Sequence, residues 1–400
     1  MKSQQHRDKE TAVKRKRPKR RIRILLIVII AIFLCLLLWN YICHKSVDEQ
    51  LTTIMASLAI PDSENAAFYY RQFFSDPNNV SILEDISKHT PSSTRSPWRD
   101  SEDPVLATKL QNHKEVIQTI ISISDKQKSL FKIYPDYFSD WNLVSTILRK
   151  TSFVLSWAAA NDLAEGRTKD AIIKYHCQMR IACHLQQTPR GDYLLVGHAF
   201  EAVAIKNIRT IAMREDLTME HLNSLETILS IAKNNPEPDH KIVKKLYKLF
   251  TTKQRSTLPP IARFRAWFHS FISNFRNYRR MMEDEKKIKK RLLFDCNATE
   301  ILIALRRFKN NTGKWPKSLD ELKPFATADI FIDPTNNGSF VYKLNDEDFI
   351  MYSKGPNNID EGGSDKNGAD DKAIWPLKIP QTDKKNTVTE QSVPERKEIK

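Results

Sequence analysis

Four soft side chains crowd one short stretch: His176, Cys177, Cys183 and His184. His176 and Cys183 are seven residues apart, as are Cys177 and His184. In a helix each pair shares a face but sits two turns apart. A tetrahedral metal needs ligands at i and i+3 or i+4, plus others from elsewhere. The spacing therefore favours packing over coordination. Farther on, Asp192 and Glu201 flank His198. A carboxylate–histidine pair is conceivable there, although a chain of this length holds many such pairs by accident. No G-x-S-x-G, Walker loop, G-x-G-x-x-G, H-E-x-x-H or paired C-x-x-C occurs. No catalytic or cofactor-binding residue is assigned from the sequence, and the reading leans away from an enzyme.

The elements that would position any such residues begin with Ile24 to Cys43, which carries no formal charge and follows the basic run Lys14 to Arg23. About 20 apolar residues in a helix cross a bilayer once, and flanking Lys and Arg stay cytoplasmic. The expectation is a signal-anchor: a basic cytoplasmic tail at 1–23, a single transmembrane helix at 24–43, and the bulk of the chain on the periplasmic or exoplasmic side of the cell's inner membrane, with the lipid bilayer as a partner. A cleaved secretory signal is the alternative; its apolar core is usually shorter and ends in small residues, which are missing before His44.

The net charge of +16 looks like a nucleic-acid signal. Its location says otherwise. Residues 1–23 hold eleven Lys and Arg against Asp8 and Glu10, a local +9, which leaves +7 for the remaining 377 residues. No nucleic acid is expected as a partner. Beyond the apolar run the cysteines are Cys177, Cys183 and Cys296, too few and too poorly spaced for a disulfide framework.

With only nine glycines and many Leu, Ile, Ala and Lys, the fold class expected is mostly α. Residues 46–290 read as an α-helical domain. Its first segment, 46–75, contains a helix over Glu64–Phe74 capped by Asp62 or Ser63. A repeat-like core follows at 143–234, with helices at about 143–165, 168–187, 192–214 and 218–234 separated by short breaks. Gly166, Ala171 and Tyr175, with Ala159 before them, stand at offsets that resemble one tetratricopeptide unit; Cys183 occupies the position of that repeat's proline. Residues 240–295 are basic. Within them Ile261, Phe264, Phe268, Phe271, Ile272 and Phe275 share a helical face, which is read either as an interfacial helix or as a helix packed on its own domain. Residues 378–400 read as a disordered tail.

At residue 295 the character changes. Two β-prone runs, Ser339–Leu344 and Asp348–Ser353, are joined by a turn and read as a hairpin. Ile301, Leu302, Leu305 and Phe308 of the preceding helix would bury it, with Trp315 and Leu319 at the edge. Within residues 291–377 stand Gly313-Lys-Trp-Pro316, Asp333-Pro334 with Tyr342, Phe349 with Ser353 and Gly355, and the acidic stretch from Gly362 to Asp371. Their order resembles the globular end of type II secretion major pseudopilins. The resemblance implies a small α+β module whose loop after the last strand holds calcium. Asn357, Asp360, Asp365, Asp370 and Asp371 would be its ligands, with Ser353 and Asn358 nearby; Asn357 stands where the family has an aspartate. The spacing is not that of an EF-hand, and a solvated acidic loop is the plain alternative.

The apolar run lacks the leader glycine and the glutamate of a polymerising pseudopilin. The whole layout is similar to bacterial single-pass membrane proteins of uncharacterised function that carry an alanine-rich helical domain and a pseudopilin-like end. The functional expectation is a membrane-anchored envelope protein whose helical domain binds a protein partner. The alternatives are an accessory component of a type II secretion-like system and a membrane-tethered hydrolase with an unidentified site.

Overall fold

The computed structural model describes residues 25–31, 34, 38, 46–89, 97–133, 137–256, 260–345, 348–365 and 368–376; the side chains of helical residues 137–139, 254–256 and 260–278 are not among those described. The basic tail at 1–23 and the segment 378–400 lie outside them. The structure is mostly helical, with a small three-stranded sheet.

No helix among the described residues is long and apolar enough to cross a membrane. This corrects the reading of 24–43 as a transmembrane helix, and the single-pass signal-anchor assignment goes with it. A span needs about 20 consecutive apolar helical residues. The longest continuous helical run described in that stretch is 25–31, and residues 24, 32, 33, 35–37 and 39–43 lie outside the described set.

The described residues form two units divided between Thr299 and Glu300. The first is helical. It contains α1 (46–58), α2 (Ala66–Phe74), α3 (Pro77–Lys88), α4 (Pro104–Asn112), α5 (Lys114–Ser124), α6 (Tyr137–Asn142), α7 (Arg149–Ala164), α8 (Thr168–Gln186), α9 (Gly191–Ala212), α10 (Met219–Lys233) and α11 (His240–Ser256). A π-helical turn, Leu143–Leu148, joins α6 to α7. The last helix, α12 (Pro260–Thr312), runs without a break through residue 295. The side chains of its 261–278 stripe are outside the described residues, so neither reading of that stripe is decided.

Helix starts follow local chemistry. Asp76 and Asp103 cap α3 and α4 ahead of Pro77 and Pro104, whose missing N–H costs nothing in a first turn. Thr218 and His221 form a reciprocal capping box on α10. The cap of α2 is Asn65, not Asp62 or Ser63, which both lie within a 3-10 turn. Asn65 wins because it does two jobs. Its Oδ1 accepts from Ala67 N at 3.1 Å and from Leu130 N at 2.9 Å, while its amide donates to Leu130 O at 3.2 Å.

The segment after α5 is irregular yet buried at Phe131 and Ile133. A buried loop must find partners for its backbone. Ser129 N donates to Gln187 Oε1 at 2.8 Å, and Phe131 N donates to Thr188 Oγ1 at 3.2 Å. Side chains of Gln187 and Thr188, just past the end of α8, therefore support the backbone of this segment.

Helix α8 packs against α5, α7, α9 and α10 and is buried on nearly every side. Gly197 of α9 lets the α8–α9 pair close: a Cβ there would lie 2.7 Å from Gln186 Cγ and 3.0 Å from Ala182 O. Because α8 is surrounded, its polar side chains need internal partners. Gln178 donates to Ser152 O at 2.7 Å and accepts from Asn207 Nδ2 at 3.0 Å. Arg180 donates to Ser124 O at 3.2 Å and Lys126 O at 2.6 Å. His184 Nε2 donates to Lys126 O at 2.7 Å, so its Nδ1 accepts from Tyr70 OH at 3.2 Å. Burial pushes His184 down to about 3 and Tyr70 well above the usual phenol range, so both are neutral. Helix α12 is clamped to α9 by Arg209, which donates to Thr299 Oγ1 at 3.1 Å and to Asp295 Oδ1 at 2.9 Å.

The second unit contains the end of α12 and an antiparallel sheet of order β1-β2-β3: β1 (Val341–Asn345), β2 (Asp348–Ser353) and β3 (Lys372–Trp375). The sequence pattern shows β1 and β2 but not β3, so the acidic loop lies between β2 and β3 and not after the last strand. Leu302, Leu305, Phe349, Met351 and Ile374 are buried in this unit. Trp315 packs edge-on against Phe349 at 4.9 Å, with Arg306 and Lys309 over its ring.

Candidate metal centre

The acidic loop is anchored where β2 ends. Ser353 and Asp333 are both fully buried, and the serine hydroxyl donates to Asp333 Oδ2 in a short hydrogen bond. Asp333 Oδ1 accepts from Thr335 N at 2.7 Å, and Ser353 Oγ accepts from Gly355 N at 3.0 Å. One pair thus ties the Asp333-Pro334 turn to the start of the loop. Gly355 then turns with φ +62°, and a Cβ there would lie 2.2 Å from Asp370 Oδ1 and 2.3 Å from Asp370 O. Only glycine admits both the backbone angle and the aspartate.

Opposite this turn three carboxylates converge. One oxygen each from Glu361, Asp370 and Asp371 lies within 4.8 Å of the others. Backbone amides hold them in place. Asp371 Oδ2 accepts from Glu361 N at 2.9 Å and Gly363 N at 2.7 Å. Asp370 Oδ2 accepts from Asn357 N at 3.2 Å. Glu361 Oε2 accepts from Asp370 N at 2.7 Å, and its Oε1 from Asn357 Nδ2 at 3.2 Å.

The other oxygens decide the chemistry. Asp370 Oδ1 and Asp371 Oδ1 are buried and accept no hydrogen bond among the described residues. Asp371 is only 1% exposed. Like charges at this separation repel by a few kcal/mol per pair, and a buried carboxylate oxygen left bare adds a desolvation cost. A hard divalent cation, which binds through carboxylate and carbonyl oxygens, would relieve both. The donor set fits such an ion. Glu361, Asp370 and Asp371 would hold it, and its charge would fix the loop between β2 and β3.

Of the five residues expected from the sequence, the structure gathers Asp370 and Asp371, with Asn357 beside them as a hydrogen-bond donor. It does not gather Asp360 or Asp365. Asp360 accepts from Tyr352 OH at 2.5 Å and lies 3.4 Å from Lys343 Nζ. The tyrosine hydrogen bond, with help from Gly362 N, holds the Asp360 carboxyl below its usual range. Asp365 is exposed and outside the cluster. Sequence reasoning missed Glu361. Its signal is the Gly362-Gly363 pair after it, which turns the chain back so that Glu361 N and Gly363 N share one aspartate oxygen.

The soft-ligand run does not assemble. Cys177 and Cys183 are buried free thiols, each pushed up to about 12 by burial, and His184 is spent on Tyr70 and Lys126 O. Asp192 pairs with Arg190 at 2.9 Å. His198 Nδ1 does approach Glu201 Oε2, at 3.4 Å. Comparison with protein-family models, curated proteins and solved structures returned no match to this chain. The pseudopilin and tetratricopeptide resemblances therefore rest on the sequence motifs alone.

Proposed function

We propose that the chain is an interaction protein built from a helical partner-binding unit and a pseudopilin-like α+β module whose acidic loop takes up calcium. The observation that carries the metal reading is the bare Oδ1 of Asp371, buried beside Asp370 and Glu361. In support of partner binding, the helical unit has a cavity of about 700 Å³ among α4, α5, α7 and α8. Its wall carries both signs of charge, from Lys114 and Arg167 to Asp170, and buried Asp162 holds Arg167 and Lys174 in place. Mixed charge in a concave helical surface suits a folded or extended polypeptide.

Calorimetric unfolding of the full chain in calcium and in excess chelator tests the metal reading. A cation that binds only the folded state stabilises it by about 2.7 kcal/mol at a hundred times its dissociation constant. Calcium should raise Tm, with magnesium weaker because it demands tighter octahedral geometry. Asp371→Asn should abolish the shift, since its remaining oxygen still accepts the two backbone amides while the charge is gone. Asp365→Asn should leave the shift intact. Equal Tm values in calcium and chelator, or a shift that follows Asp365 and not Asp371, would sink the reading.

A further inference from the structure

Lys241, Lys244, Lys245 and Lys248 stand at i, i+3, i+4 and i+7 on α11. That spacing lines them along one ridge about 10.5 Å long. All four are exposed. The opposite side of the helix is spent. Val243, Leu246 and Leu249 are buried, and Leu246 and Leu249 share a core with Val47, Leu51 and Ile54 of α1. The ridge faces outward because α1 fixes which side of α11 faces in.

Neighbouring groups do not neutralise it. None of the four ammonium groups has a hydrogen bond or ion pair among the described residues, and residues 240–256 contain no Asp or Glu. Lys253 pairs with Asp48 of α1 at 2.7 Å, while Leu58 and Ile242 line one small cavity, so α1 and α11 run antiparallel. The stretch of α1 beside the ridge is then 50–58, which has no charged residue. Glu49, the other acid of α1, falls on the face turned away from Val47, Leu51 and Ile54. At the start of α11, Asp239 accepts from Lys241 N at 2.8 Å, and Glu237 holds Lys289 at 2.8 Å. The lysines thus form four like-charge pairs at i,i+3 or i,i+4, an arrangement that destabilises a helix unless an anion answers it.

We propose that this ridge docks an acidic α-helix of a partner protein, one with Asp or Glu on a single face at the same spacing. Carboxylates at i, i+3, i+4 and i+7 repeat at the same one-turn interval and meet the lysines in register. A lipid surface is held by charge together with inserted apolar groups, and the apolar face of α11 is already packed. A nucleic-acid reader sets arginine against base edges, and no arginine stands between Lys241 and Lys248. The ridge shares no residue with the cavity among α4, α5, α7 and α8, so its test leaves the reading of that cavity untouched.

The test uses the full chain and a fluorescein-labelled, alanine-based helical peptide with four Glu at i, i+3, i+4 and i+7, followed by anisotropy. A peptide of the same composition with its Glu spread around the helix is the control. The patterned peptide should bind at least about ten-fold more tightly than the control, the combined effect of exposed ion pairs made in register, and added salt should weaken it. Replacing Lys241, Lys244, Lys245 and Lys248 together by Gln should abolish that preference. The melting temperature of this variant should hold or rise, because like-charge pairs are removed. Replacing Lys14, Arg15, Lys16 and Arg17 by Gln removes as much charge from the basic tail and should leave the preference intact. Equal binding of the two peptides, or a preference that survives the α11 variant, overturns the proposal. So does a fall in that variant's melting temperature, which would mean that the fold already uses the lysines. Tighter, α11-dependent binding of phosphatidylglycerol vesicles or duplex DNA would also overturn it.

Discussion

Helix α8 and the β2–β3 loop both bury polar side chains, and they treat them in opposite ways. In α8, Gln178, Arg180 and His184 reach backbone carbonyls or neighbouring side chains at 2.6–3.2 Å. The chain completes its own network, and the result is rigid connection: α8 fastens the irregular segment that follows α5. In the loop, backbone amides satisfy one oxygen each of Asp370 and Asp371, and the second oxygens are left bare. A network closed by the protein is architecture. A network left open on one side, at a uniform sign of charge, is a place for an ion.

The contrast is sharpest at Arg180. Its guanidinium holds Ser124 O and Lys126 O, and no ligand can replace it. Arg180→Met keeps most of the volume but takes the arginine donor from buried Ser124 O and one of two donors from Lys126 O, which keeps His184. Chemical denaturation should show a loss of about 3–5 kcal/mol, unchanged by calcium. A calcium-dependent loss would break the separation between the two regions.

Gly355→Ala comes next. It combines a left-handed backbone with a collision against Asp370, so about 3 kcal/mol is expected from strain and overpacking together. Because the collision displaces a carboxylate of the proposed centre, the same variant should also lose its calcium-induced rise in Tm. A variant that is destabilised yet keeps the full calcium response would show that Asp370 is not a ligand.

Acid should act first on α8. His184 is held down to about 3 when folded, against about 6.5 unfolded. Between those values the unfolded chain takes up a proton that the folded chain refuses, so this contribution is complete above about pH 6.5 and is lost as pH falls toward 3. Going from pH 7 to pH 5 should cost about 2 kcal/mol from this residue. His184→Gln can still donate to Lys126 O and accept from Tyr70, and it does not titrate. Its stability curve should be flatter by that amount over the same interval, and identical slopes would show that His184 is not buried neutral.

What the sequence made legible follows the same division. The breaks at Gly166, Pro189 to Gly191 and Thr218 mark the ends of α7 to α10 within a few residues, because caps and turns are written locally. Asn65 as a cap, and the side-chain support of residues 129–131, depend on partners some 60 positions away, which periodicity does not record. The pseudopilin resemblance implies the calcium loop proposed at 353–371, but neither that resemblance nor the acidic composition chooses among its carboxylates. Tyr352 and Lys343 withdraw Asp360 through contacts across the sheet, and the Gly362-Gly363 turn substitutes Glu361. The apolar run at 24–43 shows the opposite failure: a strong local pattern, with no spanning helix among the described residues.

The smallest effect isolates the backbone from its surroundings. Gly166, in the α7–α8 turn, has φ +76°, and a Cβ there would meet nothing within 4 Å. Gly355 has nearly the same angle but no room. Gly166→Ala should therefore cost only the left-handed penalty of an L-residue, about 1 kcal/mol, and Gly166→Asn less, since asparagine tolerates that region. Both should leave calcium binding untouched. If Gly166→Ala proved as costly as Gly355→Ala, the backbone angle alone would account for the glycine at 355, and the close approach of Asp370 would lose its claim to have selected it.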